Sequence, residues 1–453
     1  MAAVVESAVP ELDACAALRA DLAAHPGHTS GAAAPNGRGL APAGDAYRAA
    51  GPAPPAPGDA VRAAAWLPLV VGLERAARLP HRARPAHFRR QQAAWDAAAE
   101  ALADAHYARV GERLARWRAP DPRLRLVKEV LWALEQPEAA GYTRLALAGM
   151  NALGELVTTA DVRSGYVLAQ SARAVRTLGN SLEALNRYIF SEKLGRRFRD
   201  KWLCARSAVG LATTHQYLGN YPSARAVFRR VLEQETPDAQ FIAAAHHGLL
   251  ISAMAAQDWD AALGEVWHLL QAGQSGAIPR AEVLNLMAEL CYRVGRYEVA
   301  ARGAEAALQV SFRPDQTITA LAVLVDVAAA SHDRTLGLRY GPLLRDHIGG
   351  AAGPFEDARA LLSLAGLEHV LGSSKVANRD LDRARIVAAE LHYHELQFKA
   401  DMMGIAFARN SLDRTKDDRS NMEARLSGHS RSIISQLNGW KEDELLGAVS
   451  TTR

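Results

Sequence analysis

This 453-residue chain contains side chains able to do chemistry, but their spacing assembles no reaction centre. Gly372-Ser-Ser-Lys375 ends in the lysine of a phosphate loop yet lacks the upstream glycine spacing whose backbone amides would cradle phosphates. Gly37-Arg-Gly39 has no strand before it and forms no dinucleotide turn. No G-x-S-x-G elbow occurs, and Gly428-His429-Ser430 lies in a polar tail with nothing to hold a nucleophile rigid. Cys15, Cys204 and Cys291 form no C-x-x-C pair, which excludes a disulfide scaffold and leaves the latter two as buried thiols. His246 and His247 are consecutive, ~100° apart on a helix, and cannot share an ion. In His392-Tyr393-His394-Glu395 only His392 and Glu395 share a helix face, which reads as a surface hydrogen bond rather than a metal site. The expectation is a chain that is not an enzyme and carries no cofactor or metal.

What the chain does supply is helix. It is 49% apolar and 23% charged, with no apolar run of the ~18–20 residues a membrane span needs; Ala63 to Leu73 is too short and contains Pro68. The N-terminus carries Glu6, Glu11 and Asp13 and lacks the basic start of a secretory signal, so a soluble, reducing, cytoplasmic setting is expected. The net charge of +4 all lies within the first 130 residues, too little to argue for nucleic acid. One dense basic stretch, Arg75, Arg78, His81, Arg82, Arg84, His87, Arg89 and Arg90, is punctuated by Pro80 and Pro85 and reads as a solvated linker between helices.

Residues 1–24 read as a short N-terminal helix. Residues 25–60 hold 7 Gly, 7 Pro and 11 Ala, too little apolar bulk to offset their ordering entropy, and read as a disordered linker. Residues 61–122 follow as a helical region with the basic stretch, its part from 86 to 118 reading as one long helix stopped by Pro120 and Pro122. From 123 to 410, Ala-rich amphipathic stretches alternate with two to five residues of Gly, Asn, Asp or Pro, without period-2 alternation; the fold is expected to be all-α. Residues 411–453 read as a polar tail ending in an amphipathic helix, with Ile433, Leu437 and Trp440 on one face, fitted to cap the array or to fold into its groove.

The stretches repeat. Turns fall at Leu178-Gly179-Asn180, Leu218-Gly219-Asn220, Ala256-Gln257-Asp258, Val294-Gly295-Arg296, Ser331-His332-Asp333 and Leu371-Gly372-Ser373, spaced by 40, 38, 38, 37 and 40 residues. Five residues past each turn stand Ala184, Ala224, Ala262, Ala300, Gly337 and Ala377, small residues where two helices of a hairpin cross. Within 205–237, Leu218-Gly219, Tyr221, Ala224 and Phe228 carry a fuller pattern. On these residues the chain resembles the tetratricopeptide repeat family, over about residues 165–390. It departs from the family at Ala212, Ala288, Ala304 and Gly341, and its period exceeds the family's 34 residues. The resemblance implies a right-handed solenoid of antiparallel helix pairs behind a flexible Ala/Pro/Gly-rich N-terminal segment.

It also implies a function. In such arrays the first helix of each pair lines a concave groove. The corresponding positions here include Arg173, Arg176, Arg206, Thr213, Gln216, Tyr217, His247, Asn285, Tyr292 and Arg293. Arginine and tyrosine suit recognition, one through bidentate carboxylate bonds and the other through rigid amphipathic area. The expectation is a scaffold or adaptor that binds a segment of another protein in that groove, with no membrane span and no nucleic acid. A sensor whose repeats bind a peptide or small molecule and control transcription or another effector is the competing expectation, and it needs a DNA-reading element that the sequence does not display.

Overall fold

The computed structural model describes residues 16–18, 20–21, 59–117, 123–157, 161–234, 238–274, 278–311, 313–350 and 352–410. Of the linker expected at 25–60, residues 25–58 lie outside them and 59–60 instead open the first helix, and the tail expected at 411–453 lies outside them. Among the described residues every regular element is helical. They run α1 (Asp59–Arg78), a 3-10 turn (His81–Ala83), α2 (Arg84–Ala101), α3 (Ala105–Ala115), α4 (Leu124–Ala139), α5 (Thr143–Leu156), α6 (Val162–Thr177), α7 (Ser181–Arg197), α8 (Lys201–Tyr217), α9 (Tyr221–Leu232), α10 (Ala239–Ala255), α11 (Trp259–Gln274), α12 (Arg280–Arg293), α13 (Tyr297–Val310), α14 (Pro314–Ala330), α15 (Arg334–His347), α16 (Pro354–Val370), α17 (Ser374–Glu390) and α18 (His394–Asn410). Consecutive helices pair as hairpins, and first helices of neighbouring pairs also touch: α4 with α6, α6 with α8, α8 with α10, α12 with α14, α14 with α16, and α16 with α18. The fold is an all-α helical-repeat solenoid.

One turn builds every hairpin. After α6 the chain enters the left-handed region at Gly179, φ +94°, and donates from Gly179 N–H to Arg176 O (2.8 Å) and from Asn180 N–H to Val175 O (3.1 Å). Those two bonds close the last turn of the helix by satisfying carbonyls that otherwise lack partners. Asn180 then accepts from Glu183 N–H and caps α7, so a single residue ends one helix and starts the next. The same geometry recurs at Gly219, Gln257, Gly295, His332 and Gly372, all with positive φ, which are the six turns expected from the sequence. Asn220, Asp258 and Asp333 repeat the capping bond, to Ser223, Ala261 and Leu336.

The crossings are as tight as the small residues require. Ala184, Ala224, Ala262, Ala300 and Ala377 are fully buried, and Gly337 is buried as well. One turn on, Tyr188 of α7 and Phe228 of α9 press their rings onto Gly210 of α8 and Gly248 of α10 so closely that a Cβ at either glycine would fall inside the ring. Where the sequence departs from the family at Gly341, the polarity of this contact reverses. Leu367 of α16 supplies the bulk and reaches back onto Gly337 and Gly341, whose absent Cβ atoms would stand 2.6 and 2.9 Å from it.

Two expectations are corrected. Residues 86–118 are not one helix: the chain turns at Ala103, φ +52°, and Asp104 accepts from His106 and Tyr107 N–H to start α3. The two new halves form a hairpin, since Trp95 and Gly111, eight residues either side of Ala103, pack so closely that a Cβ at Gly111 would stand 3.1 Å from Trp95. Gly141, φ +93°, makes a further such turn between α4 and α5. Positions 103, 141 and 179 are 38 residues apart, so the repeat already runs from α2. The basic stretch is not simply a solvated linker. Arg84 is buried and donates to Leu79 O (3.0 Å), and buried His87 bonds Gly72 O (3.0 Å), which ties α2 to the end of α1. Near the chain start, Leu18 joins this core and Asp21 accepts from Leu145 N–H (2.9 Å) at the head of α5.

Candidate functional site: the inner face of the array

The first helices define a concave face because residues far apart in sequence meet across it. Tyr217 at the end of α8 packs on Phe355 of α16 with ring centroids 4.3 Å apart, and both approach Tyr393, which precedes α18. Tyr221 donates its hydroxyl to Glu395 of α18, 174 residues away. The loop before α16 lies against the end of α6: a Cβ at Gly353 would meet the Thr177 carbonyl at 2.8 Å. The array therefore curves until its C-terminal helices touch α6, α8 and α9 across its inner face.

Charge is distributed over this face in an ordered way. On its N-terminal wall, Arg173 of α6 forks onto Glu138 of α4 (2.9 and 2.8 Å), with Glu135 at 3.7 Å. Arg176 lies over the Tyr217 ring at 5.2 Å, and Arg206 donates to Gln170 Oε1 at 3.2 Å. In the middle His247 of α10 pairs with Glu282 of α12 at 2.5 Å. On the far wall Glu289 of α12 accepts from both Arg293 and Arg359, each at 3.1 Å, and Arg359 also reaches Glu356 at 3.6 Å. Burial alone would raise the Glu289 carboxyl, but the Arg359 and Arg293 guanidinium groups outweigh it and bring it down to about 2. Glu356 goes the other way: burial, with Asp315 and Glu289 adding to it against Arg359, pushes its carboxyl up to about 7. Burial likewise raises its neighbour Asp357 to about 6.

The expected groove residues divide on inspection. Arg176, Arg206, Tyr217, His247, Tyr292 and Arg293 retain exposed surface. Gln216 and Asn285 are spent on packing between repeats: the Gln216 amide donates to Gly248 O (2.6 Å) and Ser252 Oγ (3.0 Å), and the Asn285 amide to Gln316 O (2.9 Å). Arg173 is bound in its ion pair and has little to offer a partner. Reversing its charge would set it against two carboxylates and cost stability. Sequence spacing missed Glu356, Phe355, Tyr393 and Glu395, because their role depends on closure of the array rather than on position within one repeat. The expected shared helix face of His392 and Glu395 is absent, since His392 sits in the turn at φ +59°. Cys204 and Cys291 are partly exposed rather than buried, and burial still raises both thiols.

Among the described residues no His, Cys, Asp and Glu group has the geometry to hold a metal ion, and no helix is long and apolar enough to cross a membrane.

No protein-family model matches the sequence, and no curated protein matches it. Among solved structures the chain is similar to a signal-transduction ATPase with numerous domains from Pyrococcus horikoshii that carries a tetratricopeptide repeat sensor, at 10% identity and a TM-score of 0.45, over 81% of this chain and 57% of that one. It is also similar to the Cut9–Hcn1 hetero-tetramer of the APC/C, at 14% identity and a TM-score of 0.41, over 74% of this chain and 62% of that one. In both cases this chain spans less than two thirds of the other's length.

Proposed function

We propose that the protein is a non-catalytic interaction module that takes a segment of another protein on the inner face of its helical array. The observation that carries this reading is convergence: first helices of successive pairs bring Arg176, Arg206, Tyr217, His247, Tyr292 and Arg293 to one concave face. Arginine and tyrosine in a concave, partly desolvated setting are the residue types that concentrate binding energy.

Obstruction of the inner face tests this without breaking an ion pair. Thr213 of α8 is partly exposed and lies one helical turn before Tyr217. Affinity capture with Thr213→Trp, beside the wild type and Arg229→Gln on the exposed side of α9, should lose partners that both controls retain. An identical partner set at an unchanged melting temperature would place binding elsewhere.

A further inference from the structure

The second helix of one pair, α7, is inverted. Its inward side is small and polar: Ser181, Ala184, Ser191 and Gly195 are buried there beside Tyr188. Ser191 donates to Gly165 O at 2.8 Å and stands 2.7 Å from Ser207 Oγ. Its outward side carries the bulk instead. Phe190 is 60% exposed, Leu182 56% and Ile189 38%, and Phe198, at the end of the helix, is 42% exposed. The next outer helix keeps the usual order, with Phe228 and Val231 of α9 buried and Arg229 exposed. Large apolar side chains gathered on an outer face mark a contact that the folded chain has not made.

Charge and shape say what that contact is. Leu182, Ile189, Phe190, Lys193 and Arg197 fall in one stripe, about 100° wide, along the helix. Its first part is apolar and its last part cationic. The Lys193 Nζ stands 5.6 Å from the centre of the Phe190 ring, and the Arg197 guanidinium 5.6 Å from that of Phe198. Neither cation pairs with a carboxylate among the described residues, and exposed Arg199 adds a third in the turn that follows. The nearby acids are engaged off the stripe: Glu183 accepts from Arg187 (2.6 Å), and Glu192 from Arg196 (2.6 Å) and from Arg230 of α9 (2.9 Å). Arg187 also reaches Asn151 of α5 at 3.1 Å. These bridges tie both flanks of α7 to its neighbours, so the stripe is a ridge and not a groove. A helical peptide docks by laying its apolar face into a groove. A second copy of the chain would set the same cations against each other. A ridge with unpaired cations fits a flat, anionic, partly apolar surface.

We propose that the outward stripe of α7 docks the protein on an anionic lipid surface. Leu182, Ile189 and Phe190 enter the boundary between headgroups and acyl chains, where their apolar area leaves water. Lys193, Arg197 and Arg199 keep their charges at the headgroups while their aliphatic stems lie along apolar surface. The stripe lies on the outer side of the array, so lipid contact leaves the inner face open to a protein segment.

The test is co-sedimentation of the full chain with vesicles of phosphatidylcholine alone, or of equal parts phosphatidylcholine and phosphatidylserine. Binding is expected to the second and not to the first, and it should weaken as added salt screens the charges. Lys193→Glu with Arg197→Glu should weaken it about tenfold or more. Arg334→Glu with Lys375→Glu changes the net charge equally at exposed sites on α15 and α17, and should not weaken it. Phe190→Ser should weaken it too, at an unchanged melting temperature because the ring faces outward; Leu182→Ser serves if that variant fails to fold. Absence of vesicle binding, equal binding to both vesicles, or equal loss in the two charge-reversed pairs would overturn the proposal. So would capture of an oligothymidylate strand in place of vesicles, which would assign the stripe to nucleic acid. A dimer that Phe190→Ser dissociates, without vesicle binding, would assign it to a second copy and overturn the proposal as well.

Discussion

Gly248 and Phe228 show how much of this protein is decided one residue at a time. The Phe228 ring occupies the volume that a side chain at position 248 would take. Gly248→Ala should therefore destabilise by ~1–3 kcal/mol through overpacking, and Phe228→Ala by ~3–5 kcal/mol through the cavity left behind. Chemical denaturation of both variants checks the order; a neutral Gly248→Ala would mean the ring can move aside. Phe228 and the small crossing residues were legible in sequence because their role is set within a repeat or between neighbours. Arg173 was not legible in the same way. Its spacing matches that of Arg176, and only the fold reveals Glu138 and Glu135 across from the first and an aromatic ring under the second. Glu356 was invisible for a related reason, since its carboxyl is raised first by burial in the closed array, with Asp315 and Glu289 from other helices adding to it.

At the scale of elements, the turn is the unit that repeats. Gly179, Gly219, Gly295 and Gly372 meet its need for positive φ without steric cost, whereas Gln257 and His332 pay for a Cβ in the same conformation. Gln257→Gly and His332→Gly should therefore stabilise the chain, by up to ~1 kcal/mol each, against the usual trend for glycine substitution. Asp333→Ala should cost ~1 kcal/mol by removing the cap of α15. Melting curves for the three variants check both signs. The glycine and Asn/Asp pattern made six turns readable, and it also explains why the turn at Ala103 was missed. At Leu102-Ala103-Asp104 an alanine occupies the left-handed position, so the sequence shows an uninterrupted apolar period where the chain reverses. Asp104, the cap of α3, was the available signal.

At the scale of the molecule, closure of the array sets its behaviour. The seam between α8 and α16–α18 rests on Tyr217, Phe355 and Tyr393, with Glu356 and Asp357 in the first turn of α16. Tyr217→Ala with Phe355→Ala should loosen it, seen as a larger radius of gyration in solution scattering with helix content retained. An unchanged radius would mean that closure does not depend on this cluster. The seam should also respond to pH. Glu356 and Asp357 sit above their unfolded values, at about 7 and about 6, so the folded state holds more protons. Their contribution is complete below about pH 4 and fades as pH rises through 6 to 7. Glu289, brought down to about 2, contributes above about pH 4.5 and is lost on further acidification. The wild type should thus lose thermal stability relative to Glu356→Gln as pH rises from about 5 to 7. The central claim remains that a partner binds to the inner face. Hydrogen–deuterium exchange on the captured complex tests it most directly. Protection is expected on α6, α8, α10 and α12, with little change on α7, α9, α11 and α13; protection confined to the second helices of the pairs would contradict it.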